Sequence, residues 1–471
     1  MVSPRSTPIA SDAESTRPGD SSYHRRRIVI VGAAGRDFHN FNMVYRNDQT
    51  VNVIAFTAAQ IPGIAARRYA RSLAGDLYPE GIEIVAEAEL EPLCRAHRVH
   101  EVIFAYSDVS HEQVMHIASR ALATGADFVL LGPNRTMLKS SLPVIAVTAV
   151  RTGCGKSAIA RWLARHLRDH RKRVAVLRHP MPYSDLIREK AQRFASLSDL
   201  ETNQCTIEER EEYEPHIAAG NVVFAGIDYA EILQMAEQEA EIIVWDGGNN
   251  DFPFIRPDLH ITVADALRPR EVTTHHPGEA VARMADVLVI NKVDSAPTAD
   301  IALLKETLHA INPGPPIVLA ASPIRLESPD AVKGRRVLAV EDGPTITHGG
   351  MAYGAAYLAA VGAGASVVDP RPWLAGTLRD VFASYPHIGP VLPAIGYQEA
   401  QLNALESTIN RAEVDLVIVA TPADLTRLLN IKKKVVRAHY DFAETSTPTL
   451  SEIIDAFLNR MAHVGSGRGC S

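Results

Sequence analysis

The 471-residue chain predicts an α/β fold, and three observations carry the prediction. Short apolar runs recur along it, bounded by Gly, Pro, Asn and Asp. Segments with apolar residues at helical spacing separate those runs. One run ends in a glycine-rich turn followed at once by Lys-Ser and a helical pattern. Alternation of this kind builds parallel sheets covered by helices.

The first series of strands is Ile28–Val31, Val51–Phe56, Val102–Ala105 and Phe128–Leu131, with helical patterns such as Glu112 to Thr124 between them. A second series follows: Val144–Thr148, Val174–Leu177, Val222–Ala225, Ile242–Trp245, His260–Val263, Val287–Ile290 and Ile317–Ala320. The remainder is rich in Gly and Pro, then offers a helix from Leu402 to Arg411, a strand Asp415–Ala420 and a further helix from Ala423. The expected organisation is a tail at 1–26, a Rossmann-like substrate domain at 27–142 and a nucleotide domain at 143–345. A smaller α/β lobe at 346–460 and a disordered tail at 461–471 complete it.

Composition narrows the class. An apolar share of 46% and a charged share of 22% are those of a globular protein too long for one core. A net charge of -7 gives no general attraction to nucleic acid or anionic membranes, so neither is expected as a partner. Arg25-Arg26-Arg27 and Lys432-Lys433-Lys434 read as solvated faces. Cys94, Cys154, Cys205 and Cys470 stand far apart, which excludes a disulfide framework and a thiolate zinc site and fits a reducing cytoplasm. Residues 1–24 lack the apolar core of a signal peptide, and no run approaches the ~18 apolar residues of a membrane span. A homo-oligomer is expected.

The glycine-rich turn is Arg151-Thr152-Gly153-Cys154-Gly155-Lys156-Ser157. Its glycines let successive N–H groups face phosphate oxygens, and the helix that follows adds the positive end of its dipole. Lys156 would bridge the β- and γ-phosphates, and Ser157 would offer its hydroxyl to Mg2+. Val150 stands where the common form of this phosphate loop has its first glycine. The variant, SIMIBI-like form fits better and puts Arg151 at the place of that group's signature lysine. Cys154 reads as a small side chain for a tight turn, with a redox role as the alternative.

Two further signatures follow the loop. Glu241 to Asp251 is an apolar strand ending in Asp246-Gly247-Gly248, and Asp246 is placed to hold Mg2+ through water. Asn291-Lys292-Val293-Asp294 has the form of a guanine-reading element: Asp294 would accept from the base, Asn291 brace the loop and Lys292 cover the base. Ser322 matches a small-residue loop beside the base. Arg178 and His179 open a loop that runs to Asp185, and Asp185 and Glu214 are candidates for water positioning, proton transfer or metal binding, a solvated turn carboxylate being the alternative. Gly32, Gly35, Arg36, His39 and Asn40 follow the first strand as a possible second anion pocket, and Gly132-Pro133-Asn134 as a possible neighbour.

Together with Ala264-Asp-Ala-Leu-Arg-Pro269, His276-Pro-Gly-Glu279, Thr347-His-Gly-Gly-Met351 and Tyr385-Pro-His-Ile-Gly389, these motifs resemble the cyclic 2,3-diphosphoglycerate synthetase family and its bacterial relatives labelled predicted GTPases. The resemblance spans about residues 27–440. It implies a Mg2+-dependent ligase that uses ATP or GTP to close a phosphoanhydride in a small phosphorylated acid. Lys156, Arg151, Asp246, Arg178 and Asp185 are its expected catalytic set, and Arg178 and His179 would also hold the acid. The competing expectation is a regulatory or metal-delivery GTPase. His275-His276 beside Pro277 is poor spacing for a dedicated metal site. The tetrapeptide Asn291–Asp294 favours GTP and the family favours ATP.

Overall fold

The computed structural model describes residues 25–33, 35–58, 67–179, 186–248, 251–347, 349–395 and 399–467. Asp185 therefore lies outside the described residues, as do Ala34, Pro180 to Ser184, Asn249, Asn250 and His348.

The runs that are apolar throughout become strands buried on both faces, as parallel sheets require. Every residue of Val144–Ala149, Ile242–Asp246 and Leu259–Asp265 is buried. These lie at the centre of a nine-stranded sheet. Its order is Gln192–Phe194, Val222–Ala225, Val174–Arg178, Ile242–Asp246, Val144–Ala149, Leu259–Asp265, Val287–Asn291, Ile317–Ala321 and Ala443–Glu444. All neighbours are parallel except the strands at the two edges. The order reverses at Val144–Ala149, the kind of switch point at whose carboxyl end open α/β sheets bind ligands.

The helix Lys156–Asp169 packs on this sheet because Ile159, Leu163 and Leu167 recur every four residues and are each 0% exposed. Burying one such side chain contributes about 1.5–3 kcal/mol. The N-terminal part forms a six-stranded sheet in the order Arg68–Tyr69, Ile82–Ala86, Val51–Ala58, Arg26–Val31, Glu101–Phe104 and Asp127–Leu130. A two-stranded ladder, His275–His276 against Val109–Ser110, ties it to the nucleotide unit.

The third sheet runs Ile324–Leu326, Lys434–Tyr440, Leu416–Val419, Arg336–Asp342 and Ser366–Val367, with Leu392–Ala394 also on Arg336–Asp342. It thus recruits strands well before residue 346, where the sequence suggested a boundary. Val337 to Val340 is an apolar run that pairs with the distant Leu416–Val419, and only tertiary pairing reveals the assignment.

The chain enters this lobe from Ile317–Ala321 and leaves it into Ala443–Glu444, so entry and exit strands pair side by side. A final helix, Leu450–Gly467, then returns to the nucleotide unit, where Leu450, Ile454 and Phe457 join its core. That helix passes residue 461, where a tail was expected, because its apolar face has a core to enter. Among the described residues, no helix is long and apolar enough to cross a membrane.

Candidate active site at the phosphate loop

Gly153 and Gly155 adopt φ of +83° and +96°, the left-handed region open to glycine. A Cβ on Gly155 would lie 2.2 Å from Asn291 Nδ2, so the loop and the Asn-Lys-x-Asp element fit each other only with glycine there. Asn291 Nδ2 donates to the Cys154 carbonyl at 2.9 Å, and Lys292 Nζ donates to the Gly153 carbonyl at 2.7 Å. Lys292 also meets Asp265 at 2.7 Å. Ser322 N donates to Asp294 Oδ1 at 3.1 Å, which brings the two expected base-contacting residues together. The Cys154 thiol is buried and pushed up to about 11 by desolvation, the state of an inert, space-filling thiol.

Asp246 is the electrostatic centre. It is 0% exposed at the end of its strand, and pairing puts it level with Val147 beside the loop. Arg178 Nη1 lies 2.7 Å from its Oδ1, His216 Nε2 3.0 Å from its Oδ2, and Lys156 Nζ 3.4 Å from its Oδ1. Burial alone would raise this carboxyl, but the Arg178 and Lys156 charges outweigh it and hold Asp246 far below the usual range. Lys156 is lowered to about 8, first by burial and then by the neighbouring Arg178. Arg178 also pairs with Glu212 and donates to the Asp246 carbonyl at 3.2 Å.

Arg151, expected in the catalytic set, is ion-paired in this structure. Its Nε lies 2.6 Å from Asp108 Oδ1, and its Nη1 pairs with Glu271. Asp108, from the N-terminal unit, also accepts from Thr152 N at 3.2 Å. The guanidinium therefore joins the loop to a neighbouring unit, although Arg151 still lines the cleft. Arg268 reinforces the loop from another side, donating to the Thr152 carbonyl at 2.6 Å and the Gly349 carbonyl at 3.0 Å.

The residues expected to bind a second anion also converge, but in a sealed arrangement. Arg36, Asp37, His39 and Asn40 are 4%, 2%, 1% and 2% exposed. Arg36 Nη1 lies 3.3 Å from Asp251 Oδ1, and His179 Nε2 lies 3.1 Å from Asp251 Oδ2. Gly35 touches the His179 ring so closely that a Cβ would sit 2.5 Å from Cε1. His39 stacks on Phe254 at 4.0 Å and bonds through Nε2 to the Thr136 carbonyl at 2.8 Å. Thr136 directly follows the turn at Pro133–Arg135, so the Gly132–Asn134 segment does adjoin this cluster. Desolvation lowers His39 to about 4 and His276 to about 3, so both are neutral near pH 7. Arg36 is the buried cation here, and Asp251 neutralises it.

The cleft beyond the phosphate loop opens toward the C-terminal lobe and holds about 190 Å3. Lys156, Ser157, Arg161 and Arg178 line it together with Glu211, Glu212, Glu341 and Asp342, and Arg178 meets Glu212 directly. Glu341 accepts from the N–H groups of Gly354, Ala356 and Tyr357 at 2.8–3.0 Å, which anchors the helix Ala355–Gly362. Burial nevertheless pushes Glu341 up to about 7. Asp342 is also raised by burial, against a hydrogen bond from Thr345. Glu214 lies on the helix Ile207–Ala218 and is 8% exposed, so it is not the solvated carboxylate of the alternative reading.

No protein-family model matches the chain. Arginine synthetase ArcE of Thermococcus kodakarensis is 54% identical over 432 residues, which span 92% of this chain and 96% of that protein. This chain belongs to that family. Cyclic 2,3-diphosphoglycerate synthetase of Thermococcus sibiricus is 29% identical over 124 residues, 26% of this chain and 27% of that protein. The resemblance expected to run across residues 27–440 is thus partial toward that synthetase, and the full-length kinship is with the arginine synthetase. Among solved structures, LpxK from Aquifex aeolicus in complex with ATP covers 73% of this chain and 95% of its own, with a TM-score of 0.40 and 16% identity.

Several members of the site escaped the sequence reading. His216 on Asp246, Asp108 on Arg151 and the carboxylates Glu211, Glu212, Glu341 and Asp342 carry no local motif. Asp251 lay in plain view five residues beyond Asp246, and Arg268 lay within the family motif Ala264–Pro269. Only the fold assigns their partners.

Proposed function

We propose that this member of the arginine synthetase family is a nucleoside-triphosphate-dependent ligase that forms arginine by closing the last C–N bond of the guanidinium group. The observation that carries this reading is that one cleft is lined both by the phosphate loop and by four carboxylates, Glu211, Glu212, Glu341 and Asp342. Its cations suit a triphosphate, and its carboxylates suit a cationic substrate or product. The chemistry calls for the ureido analogue of arginine, citrulline. Its ureido oxygen attacks the γ-phosphorus and the nucleoside diphosphate leaves. Ammonia then attacks the ureido carbon, and the C–O bond breaks as phosphate departs with the nitrogen's surplus proton. Lys156 and Arg178 would neutralise the charge that develops on the transferring phosphoryl group. Glu341, with its proton affinity raised to about 7, suits the deprotonation of an incoming ammonium.

Mg2+ fits this donor set in part. Ser157 lines the cleft and would hold the ion, whereas Asp246 already serves Arg178, Lys156 and His216 and would reach it through water. Bound there, the ion supplies charge neutralisation on the phosphates.

The partial kinship with cyclic 2,3-diphosphoglycerate synthetase supports a second reading, phosphoanhydride closure in a phosphorylated acid. A dense polyanion would have to sit against four carboxylates, which favours the first. One experiment separates them: the enzyme with Mg2+, ATP or GTP, and either citrulline plus ammonium or 2,3-diphosphoglycerate, followed by 31P NMR and amino-acid analysis. Arginine with stoichiometric phosphate is the expected result. Cyclic product without arginine would replace the proposal with the second reading. For the base, Asp294→Ala should weaken GTP and spare ATP; equal loss for both nucleotides would show that Asp294 reads no base.

A further inference from the structure

The helix that begins at the phosphate loop carries a second kind of chemistry at its far end. His166 and His170 stand one turn apart, on the last turn and at the C-terminal cap of Lys156–Asp169. Asp455, from the C-terminal helix Leu450–Gly467, reaches both: His166 Nε2 lies 2.8 Å and His170 Nε2 3.3 Å from the same Oδ1. The ligand atoms of the three all lie within 4.8 Å of one another. On a tetrahedral zinc ion with ligands at ~2.0–2.1 Å, donor atoms sit roughly 3.3–3.4 Å apart, so the existing spacing needs only small adjustment.

The orientation of the rings is the second observation. His170 Nδ1 lies 2.9 Å from the His166 carbonyl, which can only accept. Nδ1 therefore donates there, and Nε2 is the ring nitrogen turned toward Asp455. That outer hydrogen bond is the device that fixes tautomer and ring direction in metal-binding histidines. His166 is held in turn by stacking on Trp162, with centroids 5.2 Å apart and planes at 15°. Trp162 packs against Phe442 and the nucleotide-unit core. His166 is part-buried, while His170 and Asp455 are nearly half-exposed, which leaves an entry path and room for a water ligand.

We propose that His166, His170 and Asp455 bind one divalent transition-metal ion of the zinc, cobalt or nickel class. Two imidazoles and a carboxylate favour these ions over Mg2+ or Ca2+. The ion would staple the C-terminal helix to the helix whose first residues hold the nucleotide phosphates. Its role is structural and separate from the Mg2+ expected at Ser157.

The test uses the full chain, stripped with EDTA and desalted. Co2+ or Ni2+ is titrated while tryptophan emission is followed, because Trp162 touches a ligand. A saturable quench at one equivalent, reversed by EDTA, is expected in the wild type. His170→Ala and Asp455→Ala, at side chains that are both nearly half-exposed, should each bind roughly tenfold more weakly or worse. Trp162→Phe should lose most of the quench while equilibrium dialysis still finds one bound ion. Zn2+ should raise the melting temperature of the wild type and not of either ligand variant. Wild-type binding only in the millimolar range, or unchanged affinity in both ligand variants, would overturn the site and leave simple His–Asp hydrogen bonds.

Discussion

Two buried aspartates five residues apart, Asp246 and Asp251, sit in nearly the same company and serve different ends. Each is no more than 1% exposed, and each meets an arginine and a histidine: Arg178 and His216 for the first, Arg36 and His179 for the second. Asp246 has a further partner, Lys156, which lines the open cleft. Asp251 has no such outlet in the partners described, and its cluster closes over with Phe252, Phe254 and Gly35 packed around it. The lesson is that ion-pair chemistry alone does not mark an active site. Access does: Lys156 lines the open cleft, where burial and the neighbouring Arg178 lower its proton affinity.

The sharpest way to break this contrast is Lys156→Ala, which should cut nucleotide turnover by about 1,000-fold while leaving the melting temperature near normal. A phosphate-release assay checks it, and near-normal turnover would remove the cleft from the mechanism. Asp251→Asn should do the reverse. It leaves the Arg36 guanidinium buried without its countercharge and should destabilise the fold by roughly 3 kcal/mol in urea titration. A raised KM for the amino-acid substrate at unchanged stability would instead make the sealed cluster a binding site that opens.

The third effect is smaller and turns on pH. His39 is lowered to about 4 from an ordinary 6.5, so between those values the unfolded chain binds a proton that the folded chain refuses. Stability should therefore be full above about pH 6.5 and fall on acidification, His39 contributing about 2 kcal/mol between pH 7 and pH 5. His216, His260 and His276 are lowered too and act in the same direction. His39→Gln, which keeps a donor for the Thr136 carbonyl, should flatten the dependence of unfolding free energy on pH without abolishing it. An unchanged slope would mean that His39 takes up its proton in the folded state.

What was legible in the sequence divides along the same line. The strands at Val144, Ile242 and Val287 announce themselves because double burial demands unbroken apolar runs. The phosphate loop and the Asn-Lys-x-Asp element are local grammar, and the fold joins them through Asn291 and Lys292. His216 and Glu341 could not be read, since each acts through a partner 30 or 13–16 residues away with no fixed spacing. Arg151 shows the converse case. Its position in the motif was legible, but Asp108, 43 residues earlier, decides where its charge points.

The side-by-side entry and exit of the third sheet, through Ile317–Leu326 and Tyr440–Glu444, makes that lobe a modular insertion. The carboxylates Glu341 and Asp342 belong to this insertion, whereas Lys156 and Ser157 belong to the unit that receives it. More than the paired strands holds the two together, since Arg268 donates to the Gly349 carbonyl and Thr421 to Glu211. A graft at Ala321 and Ala443 would therefore have to carry those contacts with it.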